Sequence, residues 1–94
     1  MQDLHITRAA LDAVDREIVR LFEERIALAR AVAAYKLAHD LPVLDRSREE
    51  IVLASRCSML QDGRLAPGVR RLFEELMALS RAEQEKVMED HRNA

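Results

Sequence analysis

The sequence has few of the residues that break, bend or cross-link a chain. Its 94 residues include two Gly, two Pro and one Cys, and its aromatic residues are one Tyr and two Phe, with no Trp. So few Gly and Pro predict few turns, and so few aromatic residues disfavour strands. The single cysteine, Cys57, excludes an internal disulfide and fits none of the usual zinc spacings. We therefore expect neither a disulfide framework nor a bound metal.

Long apolar runs and an excess of one charge are also missing. No apolar stretch approaches the ~18 residues of a membrane span, and the first residues lack the basic and apolar regions of a signal peptide. We expect a cytoplasmic protein that contacts no membrane. The net charge of −2 arises from interspersed acidic and basic residues, as on solvated helices, and argues against a nucleic-acid partner.

The residues that are abundant predict an all-α chain, with one domain over residues 1–94. Ala, Leu, Glu and Arg favour helices. Asp3 is predicted to cap the first helix, Ser47 and Glu50 form a capping box for the second, and Pro67 suits the first turn of the third. The predicted helices cover about residues 3–39, 47–61 and 67–90.

The first predicted helix is too long for the rest of the chain to cover. Its ~35 residues span ~50 Å, whereas a compact chain of this length is about 30 Å across. Apolar residues recur along it at helical spacing, for example at Leu11, Val14, Ile18 and Leu21. This stripe predicts a symmetric homodimer, with a kink into two shorter helices as the alternative.

Two cations interrupt the apolar face of the first helix. Arg25 stands where the stripe calls for an apolar residue, and Lys36 follows eleven residues later, on nearly the same face and ~16 Å away. Each has an ordinary interpretation on its own. Arg25 could pair with a carboxylate or extend to solvent, and Lys36 could favour the helix C-terminus. Together, they could flank one small anion.

Polar residues interrupt the other two helices in a similar way. Ser80 and Gln84 replace apolar residues on the third helix and lie one turn apart. Arg48 and Glu49 begin the second helix, just after Asp45. Each has an ordinary interpretation on its own. Ser80 and Gln84 could be buried polar side chains with hydrogen-bond partners, Arg48 and Glu49 could be surface charges, and Asp45 could be a turn residue. Taken jointly with Arg25 and Lys36, they predict a pocket for a small anion.

Five segments resemble the all-helical (type II) chorismate mutases. The resemblance covers the chain from Leu4 to about Gln84, and each segment is weak alone, whereas their order and spacing are specific. The segments are Arg8–Asp15, Glu24–Ala29, Val32–Lys36, Pro42–Glu49 and Ser80–Gln84. The resemblance implies an intertwined helical homodimer that converts chorismate to prephenate in phenylalanine and tyrosine biosynthesis, without a cofactor.

The resemblance also implies a role for each site residue. Arg8, Arg25, Arg48 and Ser80 would bind the two carboxylates of the substrate, Glu49 and the backbone near Asp45 the ring hydroxyl, and Lys36 and Gln84 the ether oxygen. Arg8 lies seventeen residues before Arg25, ~25 Å along the helix. If it binds substrate, it must enter the pocket from the partner subunit.

Three other functions stay open at this point. Isochorismate-pyruvate lyases and 4-amino-4-deoxychorismate mutases share the scaffold, and the segment Asp45–Glu49 together with Ser80 favours the mutase over the lyase. A non-catalytic helical dimerisation or regulatory module explains the long helix equally well. It leaves Arg25, Ser80 and Gln84 facing inward without a reason.

Overall fold

The computed structural model describes residues 3–94, so Met1 and Gln2 of the predicted domain lie outside the described part. The helices are α1 (Leu4–Ala38), α2 (Arg46–Ser58) and α3 (Ala66–Arg92), and a 3-10 turn at Gly63–Leu65 precedes α3. Residues 3–94 contain no strand. The prediction of an all-α chain with three helices and a very long first one is confirmed. Within this range, none of the helices carries an apolar segment long enough to cross a bilayer.

The ends of α1 follow from local chemistry. The Asp3 side chain accepts a hydrogen bond from the backbone N–H of His5 at 2.7 Å, which makes Asp3 the N-cap. At the other end, Asp40 has a φ of 55°, a left-handed conformation that turns the chain out of the helix before Pro42. Because α1 is continuous between these ends, the alternative of two shorter helices is not observed.

The start of α2 corrects the predicted capping box. The N-cap is Asp45, whose side chain accepts a hydrogen bond from the backbone N–H of Arg48 at 3.0 Å. Ser47 lies inside the first turn instead. A carboxylate at the cap satisfies the same free N–H groups that a serine would, so the helix begins at Arg46.

The end of α2 is also earlier than predicted. The helix stops at Ser58, before Gln61, and Asp62 then accepts a hydrogen bond from the N–H of Arg64 at 3.0 Å. This contact caps the 3-10 turn that leads into α3. Asp62-Gly63 is a typical turn dipeptide, and the chain turns there in a 3-10 geometry that was not predicted.

Helix α3 is the helix on which the other two pack, since it contacts both α1 and α2. Residues of α1 contact residues of α3 in the same order along the two helices: Arg25 contacts Ser80, Arg30 contacts Glu83 and Lys36 contacts Gln84. The two helices therefore run in the same direction. The buried apolar core is small and consists of Val52, Leu53 and Met77, with Phe73 packed against it. Ala29 and Ala33 are the buried residues that α1 adds.

The N-terminal half of α1 extends beyond this core. The described chain measures 57 × 27 × 14 Å with a radius of gyration of 16.9 Å, whereas a compact chain of this length has about 12 Å. Large apolar side chains along this half, including Leu11, Val14 and Ile18, are more than half exposed. The homodimer inferred from helix length remains a prediction, and these side chains are the surface that it would cover.

Candidate active site

A cavity of about 400 Å³ lies between the three helices. All three helices and the connector before α2 contribute to its wall. Seven of the eight residues predicted from the sequence line it: Arg25, Lys36, Asp45, Arg48, Glu49, Ser80 and Gln84. The two cations on α1 therefore face the same hollow, as their eleven-residue spacing predicts.

Lys36 marks the end of the cavity near the start of α2. Its Nζ donates to the backbone carbonyl of Val43 at 2.5 Å and to Gln84 Oε1 at 3.1 Å. Gln84 is buried, and this contact fixes its amide, because Oε1 must face the ammonium. An ammonium has three N–H donors, so one stays available to a ligand.

Arg25 marks the other end of the cavity. Its Nη1 donates to Ser80 Oγ at 2.5 Å, and Ser80 Oγ donates in turn to the carbonyl of Leu76 at 2.9 Å. Burial lowers the pKa of the Arg25 guanidinium below its usual value, and the nearby charge of Arg56 lowers it further. Among residues 3–94, no carboxylate forms an ion pair with Arg25. A half-buried cation in this state is stabilised when an anion binds beside it.

Helix α2 presents one face to the cavity. Arg48, Val52 and Arg56 are spaced by four residues and all line it, and Glu49 flanks them. Glu49 forms an ion pair with Arg81 of α3, which joins the two helices across the cavity wall. The Arg48 side chain has no hydrogen bond or ion pair within the described residues, so its guanidinium is available to a ligand.

The charge of the cavity wall favours an anion. Five cations line it against two carboxylates, Asp45 and Glu49. Asp45 caps α2 and Glu49 pairs with Arg81, so both carboxylates already have partners. In the described part of the chain, no cluster of three His, Cys, Asp or Glu is suited to a metal ion. The geometry thus fits a small molecule with more than one negative group.

Comparison with known proteins identifies the family of the chain. The family model described as chorismate mutase type II matches residues 7–85, which is most of the chain. The chain belongs to the type II chorismate mutase family. The T-protein of Haemophilus influenzae is 36% identical to it over 56 residues, which is 60% of this chain and 15% of the T-protein. The chain thus spans a small fraction of the length of that relative.

Two cavity residues were missed by the sequence interpretation of this family member. Arg56 and Arg81 both line the cavity. The spacing of four from Arg48 through Val52 to Arg56 was a usable signal for Arg56. For Arg81 there was none, because it follows Ser80 directly and neighbouring helix positions point about 100° apart.

Arg8 is the predicted site residue that the cavity of this chorismate mutase family member does not include. It lies in the N-terminal half of α1, is exposed, and is absent from the cavity wall. The distance along the helix explains this, since Arg8 is ~25 Å from Arg25 by helical rise. Its role as a ligand of substrate in a partner subunit stays a prediction.

Proposed function

We propose that the protein is a cytoplasmic chorismate mutase that rearranges chorismate to prephenate for phenylalanine and tyrosine biosynthesis. The observation that carries the proposal is the cavity that brings Arg25 and Ser80 together with Lys36 and Gln84. Membership of the type II chorismate mutase family supports it. Chorismate carries two carboxylates, which complement a wall with a surplus of cations.

The reaction is an intramolecular Claisen rearrangement and needs no cofactor. One carbon–oxygen bond of the ether breaks while one carbon–carbon bond forms, so atoms and electrons balance within a single molecule. An enzyme assists such a step by holding the flexible arm over the ring and by stabilising charge that grows on the ether oxygen. Both tasks require fixed donors and do not require a nucleophile.

Lys36 and Gln84 are the proposed donors to the ether oxygen. Lys36 uses two N–H groups on Val43 and Gln84, and its third would reach the substrate. Because Gln84 Oε1 accepts from Lys36, its Nε2 group is left to donate. A cation held in a site drier than bulk water interacts strongly with developing negative charge. Lys36 therefore supplies the larger part of the stabilisation.

The remaining cavity residues are the proposed binding groups. Arg25 and Arg48, with Ser80, would bind the carboxylates, which gives each cation a counter-charge. Glu49 and the backbone near Asp45 would hold the ring hydroxyl. The ion pair with Arg81 fixes the Glu49 carboxylate and leaves lone pairs on its oxygens for that hydroxyl.

The proposed active form is an intertwined homodimer with shared sites. The exposed apolar stripe on the N-terminal half of α1 supports it, because contiguous exposed apolar surface typically marks an interaction site. In such a dimer, Arg8 of one chain would bind a carboxylate in the cavity of the other. This would account for a site residue that lies ~25 Å along the helix from Arg25 of its own chain.

A direct assay of chorismate consumption tests the proposed function. Purified protein is mixed with chorismate, the loss of chorismate absorbance is followed, and prephenate is identified by chromatography. Isochorismate and 4-amino-4-deoxychorismate are run in parallel, because the ring substituent is the difference that Glu49 must recognise. Conversion of chorismate supports the proposal. Turnover of one of the other two alone would reassign the substrate, and inertness toward all three would favour a dimerisation module.

A further inference from the structure

Arg56 lies at the same end of the cavity as Arg25. Both line the wall, and they meet neighbouring parts of α3, since Arg56 lies over the Phe73 ring and Arg25 donates to the carbonyl of Leu76. Arg56 comes from the second half of α2, two turns beyond Arg48. The cavity therefore has Arg25 and Arg56 toward one end, and Arg48 and Lys36 toward the other.

The protein holds the Arg56 side chain without neutralising it. Its guanidinium carbon lies 5.9 Å from the centre of the Phe73 ring, and its Nη1 donates to Ser55 Oγ at 3.2 Å. Arg56 is half-buried, and within residues 3–94 it forms no ion pair. Its position is thus fixed by an aromatic face and a hydroxyl, neither of which removes its charge.

Arg25, like Arg56, is held in place without an ion pair. Within residues 3–94, its side-chain hydrogen bonds all come from Nη1, toward Ser80 and Leu76, so the other guanidinium edge is available. Two uncompensated guanidinium groups facing one hollow repel each other, and this repulsion is relieved when an anion binds between them. Planar guanidinium groups match the two oxygens of a carboxylate.

We propose that Arg56 is a further substrate-binding residue, which together with Arg25 holds one carboxylate of the dianionic substrate. The inference rests on the proposed function and deepens it. It gives the Arg25 end of the cavity two cations from the same chain, independently of any residue that a partner contributes. It also makes this end selective for a carboxylate over a neutral group.

The test compares Arg56→Met with Arg71→Met, measured by steady-state kinetics with chorismate. Methionine keeps an unbranched apolar side chain beside Phe73 but removes the charge. Arg71 is an exposed residue of α3 that does not line the cavity, so the control makes the same change in net charge. We expect Arg56→Met to raise KM about 10- to 100-fold, the loss of one charge-assisted contact, and Arg71→Met to leave KM within about twofold.

Thermal unfolding without ligand separates binding from structure. If Arg56 is held charged for a ligand, removing its repulsion with Arg25 leaves the melting temperature unchanged or raises it. A structural residue would lower it. If Arg56→Met proves less stable, Arg56→Lys decides the matter: a KM nearer to wild type than that of Arg56→Met supports the binding role, and equal KM values overturn it.

The possible outcomes separate this proposal from the proposed function. Wild-type protein that converts no chorismate overturns the function itself. Active wild-type protein with an unchanged KM in Arg56→Met overturns only the role of Arg56. Prephenate binding, followed by the shift in melting temperature, gives a readout that does not depend on turnover. In that assay Arg56→Met should need about 10- to 100-fold more prephenate for the same shift.

Discussion

The two halves of α1 have similar helix-forming sequences and opposite surroundings. In the C-terminal half, Ala29 and Ala33 are 6% and 0% exposed, and Arg25 and Lys36 reach the cavity. In the N-terminal half, the large apolar residue Ile18 is 57% exposed. The C-terminal half thus buries two alanines and directs charges inward, although its Leu28 is 61% exposed, whereas the N-terminal half contributes no buried residue among those described.

The two halves differ in the size of the side chains that face a neighbour and in whether the chain provides a neighbouring helix. Helix propensity, which is similar in both, does not explain the difference. Alanine lets α3 approach closely enough for Arg25 to reach Ser80 and Lys36 to reach Gln84. Larger side chains would separate the two backbones and the paired groups. The N-terminal half has no such neighbour within the described chain, so its apolar stripe is the feature that a second subunit would complete.

The largest expected effect is on the chemistry at the C-terminal half. Lys36→Ala should lower turnover about 1,000-fold, because it removes the cation proposed at the ether oxygen. Circular dichroism should still show a helical protein. The matched control is Lys86→Ala on α3, where an exposed lysine approaches Glu83 at 3.8 Å, a contact worth little. Near-normal turnover in Lys36→Ala would exclude the assigned role.

A mixing experiment tests whether the two halves serve one site across two chains. Arg8→Ala and Lys36→Ala should each be inactive alone. After subunit exchange, heterodimers would carry one site with both residues intact, so an equal mixture should regain about a quarter of wild-type activity. Exchange is verified with a tagged chain. If exchange occurs and activity does not return, the shared site is wrong, and the N-terminal half has another role.

The boundaries of the helices could be predicted from the sequence where the local signals agree. For α1, an uninterrupted apolar period and a cap at Asp3 predicted both ends to within one residue. The start of α2 was ambiguous, because Asp45 and Ser47 are both good caps and lie two residues apart. The path of the connector after Pro42 decides between them, and that path is a tertiary property.

The residues that line the cavity were predictable where a charged or polar residue interrupts a clear apolar pattern. Arg25 and Lys36 on α1, and Ser80 and Gln84 on α3, stood in stripes whose inward direction was evident. Arg81 could not be assigned in this way, because an arginine on a helix is solvated by default, and the spacing of four from Arg48 was the one signal for Arg56. Only the contact between α2 and α3 turns their faces toward the cavity.

The next effect concerns the uncovered stripe itself. Ile18→Glu should lower the apparent free energy of unfolding by about 3 kcal/mol or more, since a charge in a buried subunit interface loses its hydration. Ala9→Glu is the control, because nine residues of about 100° place position 9 on the opposite side of the helix. Sedimentation and the concentration dependence of the melting temperature provide the measurement. A stable, active monomer of Ile18→Glu would overturn the dimer.

The smallest expected effect tests why the C-terminal half packs. Ala33→Leu should lower the free energy of unfolding by about 1–3 kcal/mol, because Ala33 is fully buried and a larger side chain forces α3 away. Ala31→Leu makes the same exchange two residues earlier, at an exposed position, and should change stability by no more than about 0.5 kcal/mol. Helix propensity is the same in both variants, so urea denaturation isolates the packing contribution. Equal stabilities would mean that close approach of α3 does not depend on small side chains, and the contrast between the two halves would then need another cause.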